Sequence, residues 1–453
     1  MLELLQSTNN FIYTYLVIGL LIGCGIYFTI RTKGVQFRML FESVRMLFNS
    51  ESASPEGKQI SSFQAFAVSL GSRVGTGNLA GVATAIAVGG PGAVFWMWVT
   101  ALFGAATGFV EATLAQLYKR KDKESFIGGP AYYIERGLGK RRLAIVSAIL
   151  LIITFAYGFT LVQANTIGAA FENEFGWNHI YVGLTIAVLL AVIILGGIGR
   201  IAKITAVIVP FMAIGYLIIA GYVIVVNISS VPAVFKTIID SAFGIRQAAG
   251  GVVGAAIMQG VRRGLFSNEA GLGSAPNAAA TAHVSHPVKQ GLVQSLGVFI
   301  DTLVICSCTA FILLLSGVDI SGKSGIGIEL TQMALTSQIG HFGSLFLTIA
   351  LFFFAFSTLI GVYYYGEANL RFFTRNKIVI LVFRLTVAIM SGVGACISLE
   401  AAWELTDICM AVSGVFNLVA LIVLCPKVVK VLDDYTAQRK AGIKNPTLPD
   451  WWE

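Results

Sequence analysis

Long, continuously apolar stretches dominate this chain, and they do not alternate. Segments such as YVGLTIAVLLAVIILGGIG and LAIVSAILLIITFAY show no period of 2, whereas a membrane β-strand would place polar residues at every second position. Their length approaches the roughly 20 residues that a helix needs to cross a bilayer. The pattern predicts an all-α membrane protein with about eleven transmembrane helices, near 9–30, 61–88, 92–118, 143–168, 179–198, 204–227, 250–281, 289–316, 341–370, 378–398 and 402–425. The first stretch, FIYTYLVIGLLIGCGIYFTI, is preceded by Glu3 rather than by Lys or Arg, and no A-x-A site follows. It therefore reads as a retained helix and not as a cleaved leader. Residues 35 to 48, VQFRMLFESVRMLF, put Phe37, Leu40, Phe41, Val44, Leu47 and Phe48 on one helical face. That is the pattern of a helix lying in the membrane interface.

Charge sharpens this picture. Only 12% of the 453 residues are charged and the mean hydropathy is +0.80, far from the roughly 25% charged residues of soluble domains. The net charge of +8 does not point to nucleic acid, because the cations gather in alternate loops. Arg31, Lys33, Arg38, Arg45 and Lys58 follow the first span. Lys119, Arg120, Lys121, Lys123, Arg136, Lys140, Arg141 and Arg142 follow the third. Later basic loops carry Arg200 and Lys203, then Lys289, then Arg371, Arg375 and Lys377, and finally Lys427, Lys430, Arg439 and Lys440. The loops between are nearly free of Lys and Arg. By the positive-inside rule the N-terminus lies outside and the C-terminus in the cytoplasm; the expected location is the cell membrane of a prokaryote. The six cysteines sit within or at the ends of apolar segments, and neither they nor the four histidines show a metal-ligand spacing.

Two stretches violate the apolar pattern. GSRVGTGNLAG (71–81) crowds four glycines, Arg73 and Asn78 into the second span, and RRGLFSNEAGLGSAPN (262–277) does the same in the seventh. RVGTGN aligns with EAGLGS, pairing Gly75 with Gly271, Gly77 with Gly273, Asn78 with Ser274 and Arg73 with Glu269. The seventh span begins five helices after the second, so the two run in opposite directions and the halves are inverted in the membrane. Glycine costs about 1 kcal/mol relative to alanine in a helix interior, and clustered glycines make a break. Irregular backbone at membrane depth survives where it is buried in protein or lines a cavity. Matched breaks in inverted halves mark the substrate site of secondary transporters, against which stands close helix packing through small residues. The half-helix starting near Thr76–Asn78 turns N–H groups toward the membrane centre, suited to a carboxylate. Carbonyls freed between Gly71 and Val74 suit a hard cation. GTGNLA also fits the dinucleotide fingerprint, but no strand or βαβ unit surrounds it.

Other polar groups lie inside the spans, where a charge costs about 2.5–3.5 kcal/mol on insertion scales. Asp301 reads equally as an ion ligand or a structural acceptor, and Glu111, nearer a cytoplasmic end, as structural. Gln163, Asn165 and Thr166 end the fourth span, lining an outer vestibule or, for Gln163 above all, touching substrate. Arg73 and Glu269 read as a buried pair or as separate anchors. Ser357 and Thr358 place adjacent hydroxyls in the ninth span, either bonded back to their own helix or serving as Na⁺ ligands.

GGPGAVFWMWVTALFG (89–104), with GSRVGTGNLAG, GLFSNEAGLGSAPNAAATA and VFIDTLVIC, resembles the signatures of the sodium:alanine (or glycine) symporters, over most of the chain. The resemblance implies Na⁺-coupled uptake of alanine or glycine and the five-plus-five inverted-repeat fold of the bacterial leucine transporter, with one extra N-terminal helix. It also implies a Na⁺ site of Gly71, Val74 and Phe354 carbonyls with Ser357 and Thr358. The substrate carboxylate would then fall on Gly75, Thr76 and Gly77 beside Asn78 and Gln163, and its amino group or side chain at Gly271, Leu272 and Gly273. Domain limits follow: a peripheral helix to residue 33, an amphipathic segment 34–58, repeats at 59–228 and 229–428, and a cytoplasmic tail 429–453. The expected partners are the amino acid and the bilayer, with no nucleic acid and no protein partner required. A proton-coupled permease of the same fold, titrating Glu269 or Asp301, is the alternative. A channel or a membrane enzyme lacks the expected pore loop, metal cluster or nucleophile motif.

Overall fold

The computed structural model describes residues 2–48, 59–122, 125–244, 250–319 and 327–449. Lys58, Lys123, the end of the amphipathic segment (49–58) and the last residues of the tail (450–453) lie outside the described residues.

Helix occupies every stretch in which a span is expected. Eight helices among the described residues are long and apolar enough to cross a membrane: Leu2–Arg31, Gly92–Leu117, Arg141–Phe175, Gly197–Val226, Pro287–Leu315, His341–Phe373, Lys377–Cys396 and Leu399–Lys440. The other three expected spans are a 16-residue helix, His179–Ile194, and two interrupted ones. Helix starts follow ordinary capping. Ser61 and Gln64 form a reciprocal capping box, and Asn178 and Asn376 accept from Ile180 N–H and Ile378 N–H at 2.8 and 2.9 Å.

The first interrupted helix runs Ser62–Arg73, breaks, and resumes as a π-turn at Gly77–Gly81 and a helix at Val82–Gly89. Val74 leaves the helix with ψ 87°. The second runs Gly250–Asn268, breaks, and ends in Ala275–Ala279. Its break passes through left-handed backbone at Glu269 (φ 56°), Gly271 (φ 92°) and Gly273 (φ 83°), and glycine is the residue that enters this region without a Cβ penalty. Ile60, just before the first interrupted helix, pairs in a parallel bridge with Ala282, just after the second, and accepts from His283 N–H at 3.0 Å. The start of one and the end of the other therefore meet at one end of the bundle, and the two helices run in opposite directions.

Three features depart from the sequence reading. The basic loop after the third span is structured, with an antiparallel hairpin (Arg120–Asp122 with Ser125–Ile127) and a helix at Pro130–Leu138. The last helix does not stop at Pro426 but continues to Lys440, so the segment expected to be a tail begins as helix. A proline inside a membrane helix is tolerated where neighbours re-satisfy the freed carbonyl. The amphipathic segment is divided at Met39 into Val35–Arg38 and Leu40–Phe48, and it leaves Phe41 and Phe48 89% and 81% exposed.

Candidate functional site

The two breaks lie against each other in the middle of the bundle. Ser72 Oγ donates to Glu269 Oε1 at 3.0 Å across the gap. Gly77 faces the second interrupted helix so closely that a Cβ there would meet the Phe266 ring at 2.9 Å and Ser267 Cα at 3.2 Å.

At the first break, neutral oxygens converge. Ser357 Oγ and Thr358 Oγ1, from the long helix His341–Phe373, each donate to the Gly71 carbonyl (3.1 and 3.0 Å) and to the Phe354 carbonyl (2.9 and 3.1 Å). Each hydroxyl, with one proton to give, lies within hydrogen-bond distance of a carbonyl of its own helix and of one at the break. Four neutral oxygens, two carbonyl and two hydroxyl, make a donor set suited to a hard monovalent cation, since hard cations take oxygen ligands. Val74 follows at the end of the same half-helix, buried.

One turn further along, Thr76 N–H donates to Gln163 Oε1 at 3.0 Å and Gly75 N–H to Asn78 Oδ1 at 2.9 Å. Gln163 thus lies against the first break. Asn165 and Thr166 instead bond to the Ile397 and Val162 carbonyls. The Asn78 amide is oriented from behind, its Nδ2 donating to Asp301 Oδ1 at 2.7 Å. Asp301 also accepts from Ser267 Oγ (2.6 Å) and Thr302 Oγ1 (2.8 Å). Asp301 thus accepts from three side chains and orients Asn78. Two amide oxygens therefore rest on the N–H groups expected to take a carboxylate, as neutral stand-ins for its oxygens.

Gly75 has no room for a side chain: a Cβ would press on Thr358 Oγ1 and lie 2.8 Å from Gln163 Oε1. Overpacking of this kind costs about 1–3 kcal/mol, or roughly tenfold in an equilibrium. Gly75→Ala is expected to reduce amino-acid binding by about tenfold or more, read by equilibrium dialysis on protein that still elutes as a single species. Unchanged binding would show that this approach is slack.

The second break is held differently. Glu111, from Gly92–Leu117, accepts from Gly271 N–H (3.0 Å) and Gly273 N–H (2.9 Å), and Asn417 Nδ2 donates to both Glu111 Oε1 (2.6 Å) and the Gly271 carbonyl (2.9 Å). Tyr133 Oη donates in turn to Asn417 Oδ1. Sequence reasoning treated Glu111 as structural without finding its partners and missed Asn417 and Tyr133. Only the charge at position 111 inside an apolar span signalled this cluster. Leu272 turns its side chain away from the first break, beside Gly414 and Leu418 and against the N-terminal helix. Arg73 and Glu269 do not form an ion pair. Arg73, 2% exposed, donates to the Gln294 carbonyl at 3.2 Å, and its Nε and Nη2 have no hydrogen-bond partner among the described residues. Phe266 stacks on Phe159 at 4.4 Å and leans on Trp403 at 4.5 Å, forming an aromatic cluster against Gly77.

An all-helical membrane bundle whose two interrupted helices run oppositely and meet at their breaks is the architecture of a secondary transporter, not of an enzyme. The chain matches the sodium:alanine symporter family over residues 1–449. It belongs to that family, and is a multi-pass membrane transporter of amino acids. It is 50% identical over 441 residues to the probable sodium/glutamine symporter GlnT of Bacillus subtilis, covering 97% of this chain and 91% of that one. It is 38% identical over 453 residues to the sodium/alanine symporter AgcS of Methanococcus maripaludis, covering 98% and 99%. Its fold is that of MhsT, solved in complex with L-phenylalanine, at a TM-score of 0.57 and 14% identity over 80% of this chain and 87% of that one. The fold is thus the leucine-transporter-like one, with an extra N-terminal helix.

Proposed function

We propose that this protein carries a small neutral amino acid, alanine or glycine, into the cell together with Na⁺, by alternating access. The observation that carries the ion is the carboxylate-free set formed by the Gly71 and Phe354 carbonyls with Ser357 and Thr358. The Val74 carbonyl completes this proposed site. The substrate carboxylate replaces the amide oxygens on Gly75 and Thr76 N–H, with Gly77, Asn78 and Gln163 around it. Its amino group and side chain lie toward the backbone of Gly271, Leu272 and Gly273. The aromatic cluster of Phe159, Phe266 and Trp403 supports a short side chain. This reading carries with it repeats at 59–228 and 229–428, and an N-terminus outside with the C-terminus in the cytoplasm.

One Na⁺ moving down a 100 mV potential contributes about 2.3 kcal/mol before its concentration gradient is counted. A zwitterionic substrate adds no net charge, so uptake is electrogenic. In proteoliposomes, replacing external Na⁺ by choline is expected to abolish alanine uptake, while a negative-inside potential accelerates it. Undiminished uptake in choline would sink Na⁺ coupling. Competition by alanine, glycine and glutamine in the same assay decides the substrate, and stronger competition by glutamine would overturn the short-side-chain reading.

Proton coupling has one observation in its favour: Glu269 is fully buried and its Oε2 lacks a hydrogen-bond partner among the described residues. Uptake driven by a pH gradient in choline, lost in Glu269→Gln, would establish that second reading.

A further inference from the structure

Away from the breaks, the amphipathic helix Leu40–Phe48, the start of the first interrupted helix and the segment after the last helix border a recess partly open to solvent. Arg45, Lys289, Arg439 and Lys444 line it, with Glu42 as the acid among the described lining residues. Glu42 is already engaged, accepting from Tyr435 Oη at 3.2 Å and paired with Arg439 at 3.1 Å. Arg439 also donates to the Lys444 carbonyl at 3.2 Å, folding the segment after the helix back over the recess. Lys289, almost wholly buried, forms part of the floor and donates to Ser285 Oγ at 2.7 Å and to Asn445 Oδ1. Arg45 and Lys444 stand exposed at its rim.

The recess lies beside an apolar surface. The helix that supplies Glu42 and Arg45 turns Phe41, Val44 and Phe48 outward, 89%, 37% and 81% exposed. An amphipathic helix of this composition seats its apolar face at the level of the lipid headgroups. Cationic pockets at that depth take phosphate-bearing headgroups, because the surrounding low dielectric strengthens the attraction and the acyl chains find apolar surface alongside.

We propose that this recess binds the headgroup of an anionic phospholipid, with its phosphate between Arg45, Arg439 and Lys444 and its chains along Phe41, Val44 and Phe48. The same phosphate chemistry could come from a free anion, but the exposed aromatic face beside the cations favours the lipid. Ser62, the first residue of the first interrupted helix, also lines the recess. A bound headgroup therefore ties the amphipathic helix to the half-helix that ends at the Gly71 and Val74 carbonyls of the proposed ion site. The site does not depend on which amino acid or ion is carried.

The test uses full-length protein purified in detergent, incubated with phosphatidylglycerol or phosphatidylcholine and read by native mass spectrometry. Wild type is expected to retain phosphatidylglycerol in preference to phosphatidylcholine. Retention should fall by about fivefold for each cation removed in Arg45→Gln and Lys444→Gln. Both residues are exposed, and an unchanged unfolding temperature without added lipid verifies that the variants are folded. Equal retention of the two lipids by wild type, or unchanged retention by the double variant, overturns the proposal. Complete displacement of the lipid by millimolar inorganic phosphate would also overturn it, assigning the recess to a free anion.

Discussion

Ser357→Ala combined with Thr358→Ala is expected to raise the Na⁺ concentration needed for half-maximal alanine binding by about 100-fold or more. Contacts to a charged partner are worth about 1.5–3 kcal/mol each, and every 1.4 kcal/mol is about tenfold. Removing both hydroxyls leaves the proposed cation with backbone carbonyls alone. Each hydroxyl also bonds to Gly71 and Phe354 in this structure, so some stability is lost as well. Alanine binding titrated with Na⁺, alongside thermal unfolding in Na⁺-free buffer, separates the two effects. A wild-type Na⁺ requirement in the double variant would remove these residues from the ion site, whatever happened to stability.

Glu111→Leu is expected to be as damaging, through stability rather than affinity. Leucine preserves bulk but orphans three donors: the N–H groups of Gly271 and Gly273 and Nδ2 of Asn417. A buried donor left unpaired costs about 1–3 kcal/mol, and the positive-φ backbone at Gly271 and Gly273 has little freedom to find another partner. The unfolding midpoint in detergent should fall by roughly 10 °C, taking a few degrees per kcal/mol. Glu111→Gln, which keeps one acceptor oxygen, should fall between leucine and wild type. Wild-type stability in the leucine variant would mean that the second break does not rely on this carboxylate.

These two sites show how far the sequence could be read. The helical class and both interruptions were legible because glycines and charges inside apolar runs are local signals. The opposite direction of the two helices was legible too, since it follows from counting spans, and the bridge between Ile60 and Ala282 agrees with it. The partners of Glu111 were not legible: Gly271 is 160 residues away and Asn417 is 306, and neither distance leaves a trace in local pattern. The contacts of Gln163 with Thr76 N–H and of Asp301 with Asn78 join residues 87 and 223 positions apart, so they too leave no local trace. The hairpin at 120–127 escaped because strands of three residues, RKD and SFI, are too short to show alternation. The last span, expected to end at 425, runs on because Pro426 lies inside a membrane helix, where a proline is tolerated far better than in a soluble one.

The bridge between Ile60 and Ala282 has a mechanical consequence. The first limb of one interrupted helix and the closing limb of the other share an anchorage at one end of the bundle, with Ile60 accepting from His283. A displacement that opens a path at that end must either carry both limbs as one lever or break the anchorage. If the pair moves as one lever, the hinge lies at the breaks themselves, where backbone flexibility and ligand contacts coincide. Occupancy by ion and substrate would then set the stiffness of the joint on which the lever turns.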